Sequence, residues 1–568
     1  MLLLAILQGC TTPAPPATRA ELVLDAGWST APWRQPTGHP ELRIEGTFDL
    51  GPDPGTGSVL RIEGGWWHIT ATVNGTPLPS VTGGLTEALI SVGPHLRSGE
   101  NTLALQVVAP AGVDPILTGG SLSSVGRGSG TALLQAPPRL LLRPAAHVSD
   151  AWLEVRDGQL YPHAEISGAP AGAVVAFSAT LDGNVLADLG RASISEGRAD
   201  APPLPDDLPS WAAGSARLLH LHAVLLDADS QPLDDLIVRT GARALTAAPL
   251  ALDGEPLRLM GARVVNQGPQ TSLSESLARL APAGINAAEI HGETFRRDWL
   301  DAADELGLPL VVVPRCIGRS SRHTGERASL LATMAQQDAA TARLLRTHPS
   351  VVLLATEGPA PEKMPLWTEA LAEAKIPIAG ADLPARVLSL KRGEGLTDPT
   401  LRCQPRDCRG AWLVELTPWW RTLRTGDKPD SPTRWRLLSE ALVSYMTAEG
   451  SIGAIVPSAN PREVAGWESA WQAAAAELSI PVVSGTGRGR SEVVVTGAAP
   501  GETVWLSAAQ APTVGAIADT KGVARLSLWH DGSASVRVGD VTAPVILEPG
   551  HWEGYAWQTA VAEVSLQR

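Results

Sequence analysis

Two glutamates stand at the ends of short apolar runs that lack any alternation of polar residues. Glu357 ends the run that begins at Val351, and Glu415 ends the run that begins at Ala411. Runs of this kind are typical of β-strands buried on both faces, and parallel barrels carry their chemistry at the carboxyl ends of such strands. Hydrolysis of a glycosidic bond requires a pair of carboxyl groups, and these two positions could supply that pair.

The two glutamates would take different roles in that reaction. In a retaining mechanism the carboxyl groups lie about 5 to 5.5 Å apart, one protonated and the other ionised. We assign Glu357 as the acid/base, which requires burial and a neighbouring anion to raise its pKa, and Glu415 as the nucleophile. The alternative is that one or both glutamates cap a strand end and pair with an arginine.

Further polar and aromatic residues lie near the ends of predicted strands and would face the same side as the two glutamates. Glu289 and His291 lie at the end of another apolar run, where Glu289 could bind a sugar hydroxyl or form a structural pair with Arg315. Trp419 and Trp420 follow Glu415 directly and are candidates for stacking on a sugar ring. Glu289, His291 and the two tryptophans are therefore the candidate substrate-binding residues, with structural pairing as the alternative for Glu289.

The elements that would position these residues lie between residues 249 and 485. Buried strands alternate there with amphipathic helices, a pattern that predicts βα units and a parallel sheet. Eight strands in this length favour a (β/α)₈ TIM barrel. The eight predicted strands are 257–265, 286–291, 309–314, 351–356, 376–381, 386–390, 410–415 and 452–457.

The flanking sequence has the period of β-structure. Residues 19–140 alternate apolar and polar positions between Gly and Pro, and Asn74-Gly75 predicts a tight hairpin turn. Residues 141–248 form a second predicted β-unit, and residues 486–568 form a small closing β-sandwich. We therefore expect a multidomain β and α/β protein in which a barrel lies between sandwich domains.

The first 18 residues read as a signal and tether. The apolar segment ends in Leu7-Gln8-Gly9-Cys10, which resembles a bacterial lipobox with Cys10 as the acylated residue. This resemblance implies an exported lipoprotein of the bacterial cell envelope that meets the membrane through its lipid alone. Because export permits disulfides, Cys403 and Cys408 could close a small loop ahead of the Glu415 strand.

The composition of the chain argues against several classes of partner and of site. A net charge of −14 disfavours binding to nucleic acid and to anionic lipid. The cysteines and histidines lack the spacing of a metal site, and we expect no cofactor. Eighteen Trp residues against three Phe and three Tyr suit a carbohydrate-binding protein, although Trp also fills the cores of sandwiches.

Residues 19–140 also carry a motif pattern. Val73-Asn74-Gly75 is followed by Gly83-Gly84 and then by Leu96-Arg97-Ser98-Gly99-Glu100-Asn101-Thr102-Leu103. The pattern resembles the jelly-roll sugar-binding domain of glycoside hydrolase family 2. In that family an immunoglobulin-like domain follows, which the resemblance assigns to residues 141–248.

The region of the predicted barrel also contains sequence motifs that resemble those of this family. Gly254 to Gly261 resembles the family's entry strand, and Gly284-Ile285-Asn286 with Asp301 to Leu308 resembles its second and third units. His348-Pro349-Ser350 resembles the lead-in to the acid/base strand. The resemblance therefore implies the architecture of the β-galactosidase, β-glucuronidase and β-mannosidase superfamily over nearly the whole chain.

The residues predicted to form the active site depart from the family pattern. An ungapped count from His348-Pro349-Ser350 places the family's glutamate at Pro359, whereas Glu357 comes two residues earlier and follows Thr356 instead of Asn. Glu289 replaces the usual Arg of the second strand. Two hypotheses follow: an exo-acting β-glycosidase, or a catalytically lapsed relative that binds glycan or a surface protein. A purely structural envelope lipoprotein is a third.

Overall fold

The structure is a computed structural model, and it describes the following parts of the chain. The described residues are 19–25, 41–63, 67–83, 86–108, 134, 136–156, 159–181, 184–205, 208–246, 250–265, 273, 277, 285–292, 295–314, 336, 339–354, 387–389, 412–415, 451–456, 472–478, 490–508, 511–529, 532–553 and 556–566.

The N-terminal unit consists of antiparallel strands whose buried positions alternate. Its strands are β1 (Ala20–Val23), β2 (Glu41–Leu50), β3 (Val59–Ile62), β4 (Trp67–Val73), β5 (Thr76–Pro77), β6 (Val81–Gly83), β7 (Ala88–Ser91), β8 (Gly99–Val108) and β9 (Arg139–Leu142). Strands β2, β8, β4 and β5 form one sheet, with β6 against β4. The predicted turn joins β4 to β5, and both Asn74 and Gly75 have positive φ, of 49° and 79°.

The second unit is a pair of antiparallel sheets over one apolar core. Its strands are β10 (His147–Arg156), β11 (Gln159–Ser167), β12 (Val174–Leu181), β13 (Asn184–Ser193), β14 (Arg198–Asp200), β15 (Leu219–Leu226) and β16 (Pro232–Thr240). One sheet has the order β10-β11-β14 and the other β13-β12-β15-β16. Alternate residues of β12 and β15, such as Phe177 and Leu221, fill the space between the sheets.

A small three-stranded sheet leads from this unit into a parallel sheet. The small sheet contains β17 (Leu245–Thr246), β18 (Ala251–Leu252) and β19 (Glu255–Pro256). The parallel strands are β20 (Leu259–Val265), β21 (Ala287–Gly292), β22 (Leu310–Pro314), β23 (Val351–Leu354), β24 (Val387–Ser389), β25 (Trp412–Glu415) and β26 (Ser451–Val456). Helix α1 (Arg297–Leu306) connects β21 to β22, and residues 339–346 and 472–477 are also helical.

The order of the parallel sheet is β23-β22-β21-β20-β26-β25-β24. Seven of the eight predicted strands are therefore neighbours in one sheet, whereas the strand predicted at 376–381 lies outside the described residues. Strand β23 is fully buried, as its uninterrupted apolar sequence predicted.

The C-terminal unit returns to β-structure. Its strands are β27 (Ser491–Thr496), β28 (Thr503–Ala508), β29 (Ala511–Ile517), β30 (Val523–Leu528), β31 (Ser533–Val538), β32 (Val541–Ile546), β33 (His551–Glu553), β34 (Ala556–Gln558) and β35 (Val561–Ser565). With the N-terminal and second units, it gives the β-rich, multi-sheet architecture that the sequence predicted.

Strand β1 joins the two ends of the chain. It pairs in parallel with β29 and antiparallel with β9, so β32, β31, β28, β29, β1, β9, β3 and β7 form one eight-stranded sheet. Leu22 of β1 is fully buried, and Ile517 of β29 belongs to the N-terminal core. In the described part of the chain, no helix has the length and apolarity to cross a membrane.

Candidate active site

The predicted catalytic glutamates belong to two strands of the parallel sheet. Glu415 is the last residue of β25, where its backbone pairs in register with Ser389 of β24 and Ile455 of β26. Glu357 comes shortly after β23 and lies outside the described residues, as do Trp419, Trp420, Cys10, Cys403 and Cys408. Their assigned roles remain predictions.

Glu289 forms a buried ion pair on the same sheet. Its Oε1 accepts a hydrogen bond from Nε of Arg263 at 2.7 Å, and the two residues are register partners on β21 and β20. The Glu289 side chain is only 3% exposed. His291 lies two residues further along the backbone of β21, whereas Arg315 lies outside the described residues. Glu289 thus lies in the middle of β21 and not at its end as the sequence predicted, and Arg263 fixes the direction of its carboxylate.

Asn286 sets the alignment of the two strands that carry this pair. Its Oδ1 accepts a hydrogen bond from the backbone N–H of Met260 at 2.6 Å, and its Nδ2 donates to the carbonyl of Arg258 at 2.8 Å. The side chain therefore bridges to the start of β20 in the way a further backbone pair would. The asparagine of the Gly284-Ile285-Asn286 motif thus has a positioning role at the amino ends of β20 and β21.

Asp304 of α1 holds the segment that leads into β23. Its Oδ2 contacts Nδ1 of His348 at 2.7 Å, and its Oδ1 accepts a hydrogen bond from the backbone N–H of Ser350 at 2.9 Å. Asp304, His348 and Ser350 are all buried. The two motifs identified in the sequence around 304 and around 348 are therefore in direct contact.

The second unit contacts the same lead-in from another side. A Cβ added to Gly241 would lie 2.9 Å from Cβ of Pro349 and 2.7 Å from Cβ of Trp211, so only glycine leaves room for this packing. The guanidinium of Arg243 donates to the carbonyl of Val351 at 2.8 Å. The start of β23 is thus held by α1 and by the end of the second unit together.

Helix α1 ends where its sequence specifies an end. Gly307 adopts φ 64°, and its N–H donates to the carbonyls of Ala303 and Asp304, which are among the last carbonyls of the helix. A Cβ on Gly307 would also meet the backbone N of Ser215 at 2.8 Å. The glycine therefore closes the helix and admits a turn of the second unit.

Charged side chains of α1 join three units of the protein. The guanidinium of Arg239, from β16, pairs with Asp301 at 2.9 Å and with Glu305 at 3.3 Å, and it lies 3.7 Å from the ring centre of Trp529. Nε1 of Trp552, from the C-terminal unit, donates to the other oxygen of Glu305 at 2.9 Å.

The two carboxyl groups that contact Arg239 have pKa values shifted in opposite directions. Burial raises the pKa of Glu305, because the attraction of Arg239 only partly offsets it. Burial also acts to raise the pKa of Asp301, but the attraction of Arg239, together with that of His348 and two further arginines, outweighs it and lowers the pKa of that carboxyl. Asp301 is therefore the more readily ionised of the two carboxyl groups that contact Arg239.

Asp301, Asp304 and His348 are the one group of described residues with the spacing to hold a metal ion, since their ligand atoms lie within 4.8 Å of one another. Their chemistry does not fit that role. Arg239 binds the Asp301 carboxylate and Asp304 is committed to His348 and Ser350, so a cation there would face a guanidinium and break existing hydrogen bonds. The group is an ion-pair network.

The N-terminal motifs also meet through their asparagines. Nδ2 of Asn74 donates to Oδ1 of Asn101 at 2.8 Å, and the backbone N–H of Thr102 donates to Oδ1 of Asn74 at 2.9 Å. Asn101 is fully buried. Both asparagines fix the loops between β4, β5 and β8, so the jelly-roll motif reads as an architectural feature.

Sequence reasoning missed Arg263, Asp304 and Trp552 as members of these networks. Arg263 had a local signal, because it is a charged residue inside an otherwise apolar strand. Asp304 had one too, as an acidic residue on the buried face of an amphipathic helix. Trp552 had none, because its partner lies 247 residues away in the sequence.

Comparison with known proteins gives matches in structure. No protein-family model and no curated protein matches the sequence. The β-glucuronidase of Ruminococcus gnavus in complex with C6-substituted uronic isofagomine matches with a TM-score of 0.56 and 14% identity, over 73% of this chain and 81% of that chain. The GH2 β-galacturonidase of Eisenbergiella tayi bound to galacturonate has a TM-score of 0.54 and 16% identity, over 74% and 82%.

A third solved structure matches almost from end to end. The FMN-binding β-glucuronidase of Facaelibacterium prausnitzii L2-6 has a TM-score of 0.56 and 13% identity, over 97% of this chain and 99% of that chain. At these identities the similarity is one of fold. The resemblance to glycoside hydrolase family 2 is therefore confirmed at the level of architecture, which by itself does not transfer an activity.

Proposed function

We propose that this chain is an exo-acting, retaining β-glycosidase that is exported and anchored to the bacterial envelope by a lipid on Cys10. The observation that carries the proposal is the family 2-like fold combined with two strands, β23 and β25, that lead to the predicted carboxylates. Carbohydrate is its substrate, and the membrane is contacted through the lipid.

The proposal includes closure of the parallel sheet into a (β/α)₈ barrel. If the predicted strands are numbered one to eight along the chain, the order of neighbours across the sheet is four, three, two, one, eight, seven and six. The gap between its two edges, β23 and β24, is where the fifth strand of a barrel belongs. Residues 376–381, which lie between β23 and β24 in the sequence, are the segment that would fill it.

The chemistry follows from the roles of the two glutamates. Glu415 attacks the anomeric carbon while Glu357 protonates the departing glycosidic oxygen, which gives a covalent glycosyl-enzyme. Glu357 then removes a proton from water, the water attacks the anomeric carbon, and Glu415 leaves. Glu289, held by Arg263, and His291 are proposed to bind hydroxyls of the sugar, while Trp419 and Trp420 stack on its ring.

The solved structures guide the choice of substrates. The matched structures are those of β-glucuronidases and a β-galacturonidase, so aryl β-glucuronide and β-galacturonide belong in the test panel beside the neutral glucoside, galactoside and mannoside. The full chain, purified in mild detergent, is assayed beside Glu357→Gln and Glu415→Gln, with the exposed Glu45→Gln as the matched control. The anomer released first is read by NMR.

Hydrolysis with retention that both active-site variants abolish, and that Glu45→Gln leaves intact, supports the mechanism and identifies the sugar. Hydrolysis that survives either active-site change removes that glutamate from the mechanism. Radiolabelled fatty acid incorporated by the wild type and lost in Cys10→Ala tests the anchor.

The lapsed-enzyme hypothesis remains the second candidate because two active-site positions depart from the family pattern. Thr356 stands before Glu357, and Glu289 forms an ion pair inside the sheet. Absence of hydrolysis across the panel, together with glycan binding measured on an oligosaccharide array, would favour this candidate. Absence of both activities would favour a structural envelope protein.

A further inference from the structure

The lead-in to β23 is held more tightly than strand pairing alone requires. Both oxygens of Asp304 are committed, one to the His348 ring and one to the Ser350 backbone. The residue between these two contacts is Pro349, whose ring restricts the backbone. Leu310 of β22 also donates its N–H to the carbonyl of Ser350 at 2.7 Å. The three-residue segment therefore has one position relative to α1.

The helix that carries Asp304 is itself held from both sides. Trp211 of the second unit donates its indole N–H to the Asp304 carbonyl at 2.9 Å, and Arg239 of the same unit binds Asp301 and Glu305. Trp552 of the C-terminal unit binds Glu305. Asp304 is thus mounted on a helix that both neighbouring units fix in place.

We propose that Asp304 is a positioning residue for the acid/base glutamate: through His348 and Ser350 it fixes where β23 begins and so where Glu357 is delivered. The inference rests on the proposed function for its consequence in catalysis. Its structural step, the anchoring of β23 by Asp304, is independent of any activity.

A buried carboxylate is a costly way to obtain stability, because desolvation opposes the gain from pairing. Apolar side chains of similar volume could fill the same space. The polar network instead fixes a direction, since each of its hydrogen bonds is satisfied in one geometry. Misplacement of a reacting group by about 1 Å costs about 100-fold in rate, so this direction matters to a carboxyl group that must meet a glycosidic oxygen.

The test compares four variants of the full chain. Asp304→Asn replaces one carboxylate oxygen by an NH₂ group. His348→Asn retains an N–H donor near the position of Nδ1, and His348→Phe removes it. Asp234→Asn is the matched control, because Asp234 is an equally buried carboxylate that binds Arg19 and the N–H of Val148 in another part of the protein.

We expect Asp304→Asn and His348→Phe to lower kcat by about 10- to 100-fold with little change in KM, and His348→Asn to stay within about threefold of the wild type. Asp234→Asn is expected to lower stability and keep kcat. An unchanged kcat in Asp304→Asn, or an equal loss of kcat in Asp234→Asn, would overturn the proposal, because the effect would then be absent or merely one of stability.

Hydrogen–deuterium exchange gives the readout that needs no substrate. Asp304→Asn should increase exchange at residues 348–354 and leave β12 and β15 unchanged. If the wild type hydrolyses no glycoside, the proposed function fails, while increased exchange at 348–354 still supports the anchoring step. Unchanged exchange there overturns the role of Asp304 whatever the activity.

Discussion

The indole N–H of Trp552 donates to the carboxylate of Glu305 at 2.9 Å, across 247 residues of sequence. The bond ties the last unit of the chain to helix α1 of the parallel-sheet region. Glu305 also meets Arg239, which comes from the second unit and stacks on Trp529 of the C-terminal unit. One buried cation therefore serves three units, and its removal should affect them together.

Arg239→Met should lower the free energy of unfolding by about 3 kcal/mol, because it leaves the buried carboxylate of Glu305 and the partly exposed carboxylate of Asp301 without their guanidinium. The matched control is Arg525→Met, which removes a mostly exposed pair with Glu492 and should cost less than about 1 kcal/mol. Urea unfolding followed by tryptophan fluorescence measures both. Equal losses in the two variants would show that the Arg239 network is not a junction.

Gly307→Ala tests the end of α1. The substitution places a side chain at φ 64° and brings its Cβ to 2.8 Å from the backbone N of Ser215. Gly501→Ala is the control, because Gly501 also has positive φ, of 82°, but has nothing within 4 Å of its Cβ position. We expect a cost of about 1 kcal/mol at Gly501 and about 2 kcal/mol more at Gly307 in thermal or urea unfolding. Equal costs would assign the whole effect to backbone conformation.

The strands were predictable from sequence because their signals are local. The apolar run that begins at Val351 predicted the buried strand β23, and Asn74-Gly75 predicted its turn. The networks depend instead on register between distant segments. Glu289 has Arg263 as a partner because β20 and β21 pair in one particular register, which no local pattern specifies. The insertion of β1 between β9 and β29 is of the same kind.

Asn101→Asp tests whether the jelly-roll motif is architectural. Nδ2 of Asn101 donates to the carbonyls of Arg97 at 2.7 Å and Gly99 at 2.9 Å. An aspartate of the same shape puts a buried anionic oxygen against those two carbonyls, so we expect a loss of about 3 kcal/mol or more in urea unfolding. Asp49→Asn, the reverse exchange at an exposed position of the facing strand, should be nearly neutral. A tolerated Asn101→Asp would contradict the architectural role.

Glu21 makes the stability of the β1 junction depend on acid. Burial alone would raise its pKa, but the attraction of Arg61, which donates to it at 3.1 Å, and of Arg139 lowers that pKa from 4.5 to about 2. The unfolded chain therefore binds a proton at a higher pH than the folded chain does. The stabilisation from Glu21 is complete above about pH 4.5 and is lost as the pH falls towards 2, with a total on the order of 2 to 3 kcal/mol.

Glu21→Gln isolates this contribution, because every other titrating group is common to the variant and the wild type. The difference in unfolding free energy between the two proteins should be constant from pH 7 to about pH 5 and should shrink steadily as the pH falls towards 2. For Glu45→Gln, a change at an exposed residue of β2, we expect a small difference that does not vary with pH. A Glu21→Gln difference that stays constant through the acid range would mean that Arg61 and Arg139 do not hold Glu21 ionised. The junction between the two ends of the chain would then depend on the apolar contacts of Leu22 and its neighbours.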